Sequence, residues 1–283
     1  MNKPIKTFSF STEYFNVVDT LECGQIFRYF KLDAGKYLLI SKNHPCIITQ
    51  NNSEVLITVY EEDEGYFYNY FDLNTDYNGI FSRATASNYP VLVNSAKLGK
   101  GVRILKQDSE EMIISFLISQ NNNIPRIKNS LNKICELLGE KSTFCGYEYY
   151  AFPTLEKMSL QTADFYKSCG LGYRAEYMLN VCSSLNNGLI NRLNSIEKNK
   201  RKEELVKIKG IGEKVADCVL LFGMYQTDSF PVDTWIEKIY REDFNGLLTD
   251  RKKITEFFIS QFGSDSGYFQ QYLFYYKRTL SKK

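Results

Sequence analysis

Four residues in residues 205–239 of this 283-residue chain bring groups that can do chemistry: Gly210, Gly212, Lys214 and Asp233. The stretch reads LVKIKGIGEKVADCVLLFGMYQTDSFPVDTWIEKI. A helical run ends near Lys207, and a Lys-Gly-Ile-Gly turn follows. Both glycines suit a turn that requires positive φ and carries backbone N–H groups to the surface. Such amides, set beside a helix N-terminus, make an anion site that accepts a DNA phosphate. The next helix opens at Glu213 and Lys214, with Val215, Cys218, Val219 and Phe222 spaced to fit one buried face. Further on, Phe-Pro-Val-Asp places Asp233 where an N-cap is expected. Singly, these features have plainer readings. A Gly-x-Gly turn is a common connection, a lone lysine is a solvated side chain, and a lone aspartate before a helix is a cap.

Taken in this order and spacing, the stretch resembles the helix-hairpin-helix, Gly/Pro-rich loop and Asp signature of the base-excision DNA glycosylase superfamily. The lysine two residues after the second hairpin glycine is the mark of its bifunctional members. The words GIGEKVADC and PVD are most similar to the 8-oxoguanine DNA glycosylase branch. The similarity continues in LECGQIFR (21–28), SQNNNIPR (119–126), LGYR (171–174) and GYFQQYLF (267–274), in the family's order along nearly the whole chain.

This resemblance implies a reaction and a set of roles. A damaged base must leave the duplex stack before its C1′–N bond is broken. Lys214 would attack C1′ and form a Schiff base that permits strand cleavage by β-elimination. Asp233 would stabilise the cationic sugar and assist proton transfer, besides capping its helix. The Gly24 carbonyl would accept the hydrogen that 8-oxoguanine, unlike guanine, carries at N7. Cys218 and Phe274 would lie on the two faces of the flipped base, with Gln270 on its Watson–Crick edge. Arg126 and Arg174 would hydrogen-bond the orphaned cytosine, Asn121 would fill the gap, and Tyr173 would wedge the stack. Gly210 and Gly212 would face a phosphate. Related hairpins hold an ion on backbone carbonyls, here those of Val206, Ile208 and Ile211. No redox or nucleotide cofactor is implied; the partner is damaged double-stranded DNA and the expected state is a monomer.

Read without the resemblance, Gly24 is a turn or bulge, Cys218 and Phe274 are core, and Gln270 is solvated. Asn121 then opens a helix and the arginines are surface cations. Two positions depart from the family pattern: Lys209 stands where many relatives have proline, and Trp235 where animal relatives carry histidine. The same chemistry on another damaged purine, or a non-catalytic DNA-binding hairpin, are the alternatives. Lys214 together with Asp233 speaks against the second.

Composition narrows the classes further. Hydrophobic residues at 43% and charged residues at 24% are ordinary for a globular protein. A net charge of +2 provides no global basic field, although Arg201-Lys202, Arg251-Lys252-Lys253 and the tail from Lys277 are locally basic. His44 is the only histidine, which excludes Ser-His and Cys-His catalysis and ordinary histidine-containing zinc sites. Seven dispersed cysteines without a Cys-x-x-Cys pair point to reduced thiols. None follows Cys218, so the four-cysteine iron–sulfur loop of endonuclease III relatives is absent. With no signal-peptide core and no membrane-length apolar run, the expectation is a cytoplasmic protein, nucleoid-associated if bacterial.

The elements that must position these residues fall into two regions. From about 5 to 80, runs such as 25–30, 37–40 and 55–59, separated by turns at 33–35 and 50–53, predict an antiparallel strand lobe. An aromatic run near 66–72 is a candidate first helix. From about 87 the period is 3.6, with helices over 108–120 and 127–138, one capped by Thr162, one after Arg174, and two near 251–262 and 266–280. The expected fold class is α+β: an antiparallel β-rich lobe over 1–86, then a mostly helical, two-lobed region over 87–283. The hairpin is expected at about 199–224, and the final helix is expected to pack back toward the first lobe.

Overall fold

The computed structural model describes residues 3–281. Five strands form the main sheet: β1 (Ile5–Ser11), β2 (Tyr29–Asp33), β3 (Lys36–Ser41), β4 (His44–Asn51) and β5 (Glu54–Tyr60). They pair antiparallel in the order β1-β5-β4-β3-β2. A short hairpin of β6 (Lys141–Phe144) and β7 (Tyr147–Tyr150) is the second sheet. The helices before it are α1 (Val17–Glu22), α2 (Glu64–Tyr70), α3 (Tyr77–Thr85), α4 (Pro90–Leu98), α5 (Ser109–Ser119) and α6 (Ile124–Leu138). After it come α7 (Leu155–Ser159), α8 (Ala163–Ser168), α9 (Arg174–Asn186), α10 (Leu189–Ser195) and α11 (Lys198–Val206). The last are α12 (Glu213–Cys218), α13 (Thr234–Asp243), α14 (Arg251–Phe262) and α15 (Ser266–Leu280).

Strand alternation explains how the sheet is covered. In β5, Val55, Ile57 and Val59 point to one face and pack with Tyr37, Leu39, Cys46 and Ile48 against Phe67, Tyr70 and Phe71. On the other face, Leu38, Ile40 and Ile47 pack against Phe144 and Tyr149 of the β6–β7 hairpin. β3 and β4 are therefore buried on both sides. This explains why Tyr37–Ser41 reads as a continuous apolar run rather than an alternating one.

Two expectations about the first region need correction. The strand predicted at 25–30 begins only at Tyr29, because Gly24 has φ of +100° and the Gln25 side chain, not a ladder, satisfies neighbouring backbone. Gln25 donates to the carbonyls of Thr20 and Arg103 at 3.1 and 2.7 Å and accepts from the Leu105 N–H. Strands also stop at Tyr60 rather than running to about 80. The aromatic run is a helix as expected, α2, with Phe67, Tyr70 and Phe71 at helical spacing against the sheet, but it is not the first: α1 precedes it.

The helices surround α5, whose 112–118 segment is buried throughout. Asp108 caps it, accepting the Glu111 N–H at 2.9 Å. Glu111 is itself buried, which pushes its carboxyl above the usual range; Arg28 at 3.7 Å and the Lys42 N–H oppose that shift. Arg103 performs a similar tie, donating to the Phe71, Tyr14 and Asp72 carbonyls beneath the Tyr77 ring. The final helix reaches α1, where the Tyr275 hydroxyl donates to Asp19 at 2.5 Å and Arg278 to the Glu22 carbonyl at 3.0 Å. These ties hold α1 and the Gly24 loop against α15, which sets the geometry of the cleft described next.

Candidate active-site cleft

A cleft of about 1050 Å³ opens between the Gly24 loop, the turn after α5, the start of α12, the start of α13 and the face of α15. Gly24, Asn121, Tyr173, Gly212, Lys214, Asp233 and Phe274 all line it. Cys218 and Gln270 do not line it and are nearly fully buried, 3% and 5% exposed.

Lys214 stands in the first turn of α12, because Gly212 ends the preceding turn in an extended conformation and the chain enters the helix there. Its Nζ lies 5.8 Å from the centre of the Phe116 ring. Phe116 stacks on Phe222 of the π-helical turn Val219–Gly223 that continues α12, so the floor beneath the amine is aromatic. The lysine is near enough to Cys218 and Asp233 for its charge to act on both. Burial pushes the Cys218 thiol up to about 11, so it stays a neutral sulfur.

Asp233 is the N-cap of α13, with one carboxylate oxygen accepting the N–H groups of Trp235 at 3.0 Å and Ile236 at 2.9 Å. Burial raises its pKa, and the Ile236 N–H, the Lys214 charge and the Trp235 N–H pull it back down, in that order. A carboxylate held part-buried beside a cation is a charge kept in readiness rather than a solvated one.

One end of the cleft is built from α15 and the Gly24 loop. Gly24 has φ of +100°, which favours glycine, and a Cβ there would meet Arg278 Nη1 at 3.1 Å, Phe274 at 3.5 Å and Ile124 at 3.6 Å. Its carbonyl accepts no hydrogen bond from the described residues. Gln270 donates Nε2 to the Pro231 carbonyl at 3.2 Å and leaves its buried Oε1 without a partner. An unmatched buried acceptor is costly.

The turn after α5 is held in an unusual shape. Asn121 has φ of +44° and is exposed. Arg174 is almost buried and does not point at the cleft. It donates Nε to the Gln120 carbonyl at 2.7 Å, Nη2 to the carbonyls of Gln120 and Asn121, and Nη1 to that of Leu171 at 3.2 Å. The structure therefore does not set Arg174 beside Arg126 as the sequence reading expects; the Arg126 side chain is exposed and makes no hydrogen bond within the described residues. Tyr173 is exposed at 54%, with the Arg174 guanidinium 4.5 Å from its ring centre.

In the hairpin turn the two glycines differ. Gly210 has φ of +106°, and a Cβ there would strike the Tyr177 side chain at 2.4 Å; its carbonyl accepts from Gln120 Nε2 at 2.7 Å. Gly212 does not have the expected positive φ: its φ is −89°, and it is exposed with open space around it. It faces the cleft, so glycine there keeps the surface bare rather than relieving strain. Of the three carbonyls suggested for an ion, that of Ile208 accepts the Ile211 N–H at 2.9 Å. Among the described residues no cluster of three or more histidine, cysteine, aspartate or glutamate side chains could hold a metal.

Sequence reasoning missed other lining residues. Lys202 of α11 bridges Glu213 at 2.9 Å and buried Asp217 at 3.0 Å, joining the two hairpin helices directly beside Lys214. Burial pushes Asp217 up to about 6 against the opposing Lys202 charge. The i+3 spacing of Asp217 from Lys214 was a usable signal. Arg278 also lines the cleft, four residues after Phe274.

Comparison with known proteins gives the family. Residues 7–113 match the family model described as the N-terminal domain of 8-oxoguanine DNA glycosylase. A probable N-glycosylase/DNA lyase of Methanothermobacter thermautotrophicus is 31% identical over 229 residues, 74% of this chain and 72% of the relative. The N-glycosylase/DNA lyase OGG1 of Arabidopsis thaliana is 31% identical over 188 residues, 62% of this chain and 52% of the longer plant protein. The fold matches a crystal structure of Clostridium acetobutylicum 8-oxoguanine glycosylase/lyase in complex with double-stranded DNA containing cytosine opposite 8-oxoguanine. That match has a TM-score of 0.91 and 36% identity, covering 99% of this chain and 100% of the other. With relatives alike in sequence over most of their length and in fold from end to end, the chain belongs to the 8-oxoguanine DNA glycosylase/lyase family.

Proposed function

We propose that this protein removes 8-oxoguanine from duplex DNA, preferentially opposite cytosine, and then cleaves the strand at the resulting site. The observation that carries the reading is the convergence of Lys214, Asp233, Gly24 and Phe274 on one cleft from four separate segments of the chain. A DNA-binding module needs only the hairpin turn. A cleft lined by an amine and a carboxylate serves chemistry on a flipped nucleotide.

In this mechanism the free amine of Lys214 bonds to C1′ as the C1′–N9 bond breaks, and N9 keeps the electron pair. Asp233 stabilises the positive charge that grows on the sugar; its two backbone N–H bonds fix the carboxylate before that charge appears. The sugar then opens to a Schiff base on Lys214, and loss of a C2′ proton expels the 3′ phosphate.

For the flipped base, the unengaged Gly24 carbonyl takes the N7–H, and guanine with its bare N7 acceptor is repelled there. Phe274 covers one face, where stacking on an aromatic is worth about 1–3 kcal/mol per base; Cys218, buried beneath the cleft wall, would meet the other face only once that wall opens. Gln270 Oε1, otherwise orphaned, accepts from the Watson–Crick edge. On the opposite strand, Arg126 donates to cytosine, Asn121 occupies the gap and Tyr173 wedges the stack. Arg174 would reach the cytosine only after releasing the Gln120 and Asn121 carbonyls. The Gly210–Gly212 turn and exposed Lys209 face a phosphate, and the Val206, Ile208 and Ile211 carbonyls would hold a cation, that of Ile208 while keeping its bond from the Ile211 N–H. The protein acts as a monomer. Among the described residues no helix is long and apolar enough to cross a membrane.

The test is single-turnover base release from duplexes carrying one 8-oxoguanine opposite each of the four bases, alongside 3-methyladenine and undamaged guanine. Fastest release of 8-oxoguanine opposite cytosine, with no release of guanine, is expected. Preferential release of the alkylated purine would overturn the substrate assignment.

A further inference from the structure

Beyond Phe274, α15 carries a charged side chain into the cleft, that of Arg278. Gln270, Phe274 and Arg278 follow one another at i, i+4 and i+8, so they share one side of the helix. Eight residues span about 12 Å of helix axis, enough to run past a purine from one edge to the other. Gln270 stands at the Watson–Crick end and Phe274 under the ring. Arg278 stands at the far end, where its Nη1 would lie 3.1 Å from a Cβ on Gly24. It lines the cleft, and the one hydrogen bond of its guanidinium within the described residues is to the Glu22 carbonyl at 3.0 Å. A guanidinium has five N–H donors, so most of them remain to be placed.

We infer that Arg278 donates to the C8 oxygen of the flipped 8-oxoguanine and stabilises the negative charge the purine takes as it leaves. The inference rests on the functional reading above and on the edge assignment it gives to Gly24 and Gln270. Gly24 meets N7–H, and C8 is the next atom of the ring, on the side away from the edge held by Gln270. When C1′–N9 breaks, the electron pair departs on N9 and spreads through the five-membered ring onto the C8 oxygen. A cation fixed at that oxygen binds the departing base more tightly than the intact nucleotide, which accelerates the step. Undamaged guanine has no oxygen at C8 and gains nothing from the contact. Arg278 thus adds to lesion selection and to leaving-group stabilisation together.

The discriminating measurement compares two substrates in single turnover. One duplex carries 8-oxoguanine opposite cytosine; the other carries a preformed abasic site, which has no base to stabilise. Arg278→Met should slow base release by about 10- to 100-fold, the range for losing a hydrogen bond to a charged group. Strand cleavage at the abasic site should stay at the wild-type rate, and Arg278→Lys should recover part of the base release. Equal rates of base release in wild type and Arg278→Met would overturn the inference. So would a parallel loss on both substrates, which is the signature of a merely structural role at the Glu22 carbonyl. A wild-type protein that releases no 8-oxoguanine yet cleaves abasic sites would overturn the functional reading itself, and with it this role.

Discussion

Replacing Asp233 by asparagine separates the two tasks assigned to it. Asparagine caps helices about as well as aspartate, so the bonds from Trp235 and Ile236 at 3.0 and 2.9 Å should survive; alanine, which cannot accept them, should cost about 1 kcal/mol. The charge has the opposite effect on stability. Burial raises the Asp233 pKa above its ordinary 3.8, so the folded protein binds the proton more tightly than the unfolded chain. Stability then falls as pH rises through the window between those two values, and at neutral pH the ionised group is a net cost. Asp233→Asn removes that cost. It should melt at the wild-type temperature or above it at pH 7.5, while 8-oxoguanine release drops about 10²- to 10³-fold through loss of the charge opposite the cationic sugar. Thermal melting and single-turnover base release on the same preparation measure both. A variant that loses stability and activity together would show a structural aspartate only, and one that excises at the wild-type rate would refute the electrostatic role.

Two further outcomes follow from the cleft's supports. Gly210→Ala puts a Cβ 2.4 Å from that of Tyr177 at φ of +106°, so urea denaturation should show a loss of about 2–5 kcal/mol; Gly212→Ala, in open space, should stay within about 0.5 kcal/mol. Comparable losses at both positions would contradict the assigned geometry. Asp217, held at about 6 mainly by burial, binds its proton more tightly in the folded state, so its contribution to stability should decline between pH 4 and 6 by of order 3 kcal/mol. Asp217→Asn should abolish that decline when melting curves are compared across the interval, and an unchanged pH slope would place the carboxylate in water.

The parts of this molecule legible in the sequence are those with local causes. Asp108, Thr162 and Asp233 each cap the helix that follows, and Gly139 ends α6, as capping chemistry anticipates. The spacing of Ile127, Leu131 and Ile134 located the α6 face. What escaped depends on distant partners. The β6–β7 hairpin has eight strand residues with little apolar pattern, and it exists because Phe144 and Tyr149 cover the outer face of β3 and β4. Gln25 to Arg28 looks like a strand until the Thr20, Arg103 and Leu105 backbone groups that occupy Gln25 are in view. At the site, Lys214 and Asp233 were found by resemblance, and no periodicity would have joined them. Arg174 shows the limit of carrying a role from a motif: its type suits cytosine, but here its donors go to three backbone carbonyls.

The central claim is that Lys214 forms a covalent bond to the sugar from which 8-oxoguanine has departed. Borohydride reduction during turnover on a duplex with one 8-oxoguanine opposite cytosine tests it directly, because only a Schiff base is trapped. Wild type should give a covalent protein–DNA adduct, Lys214→Gln none, and a duplex with ordinary guanine none from either. An adduct that persists in Lys214→Gln, or base release by wild type with nothing trapped, would contradict the account.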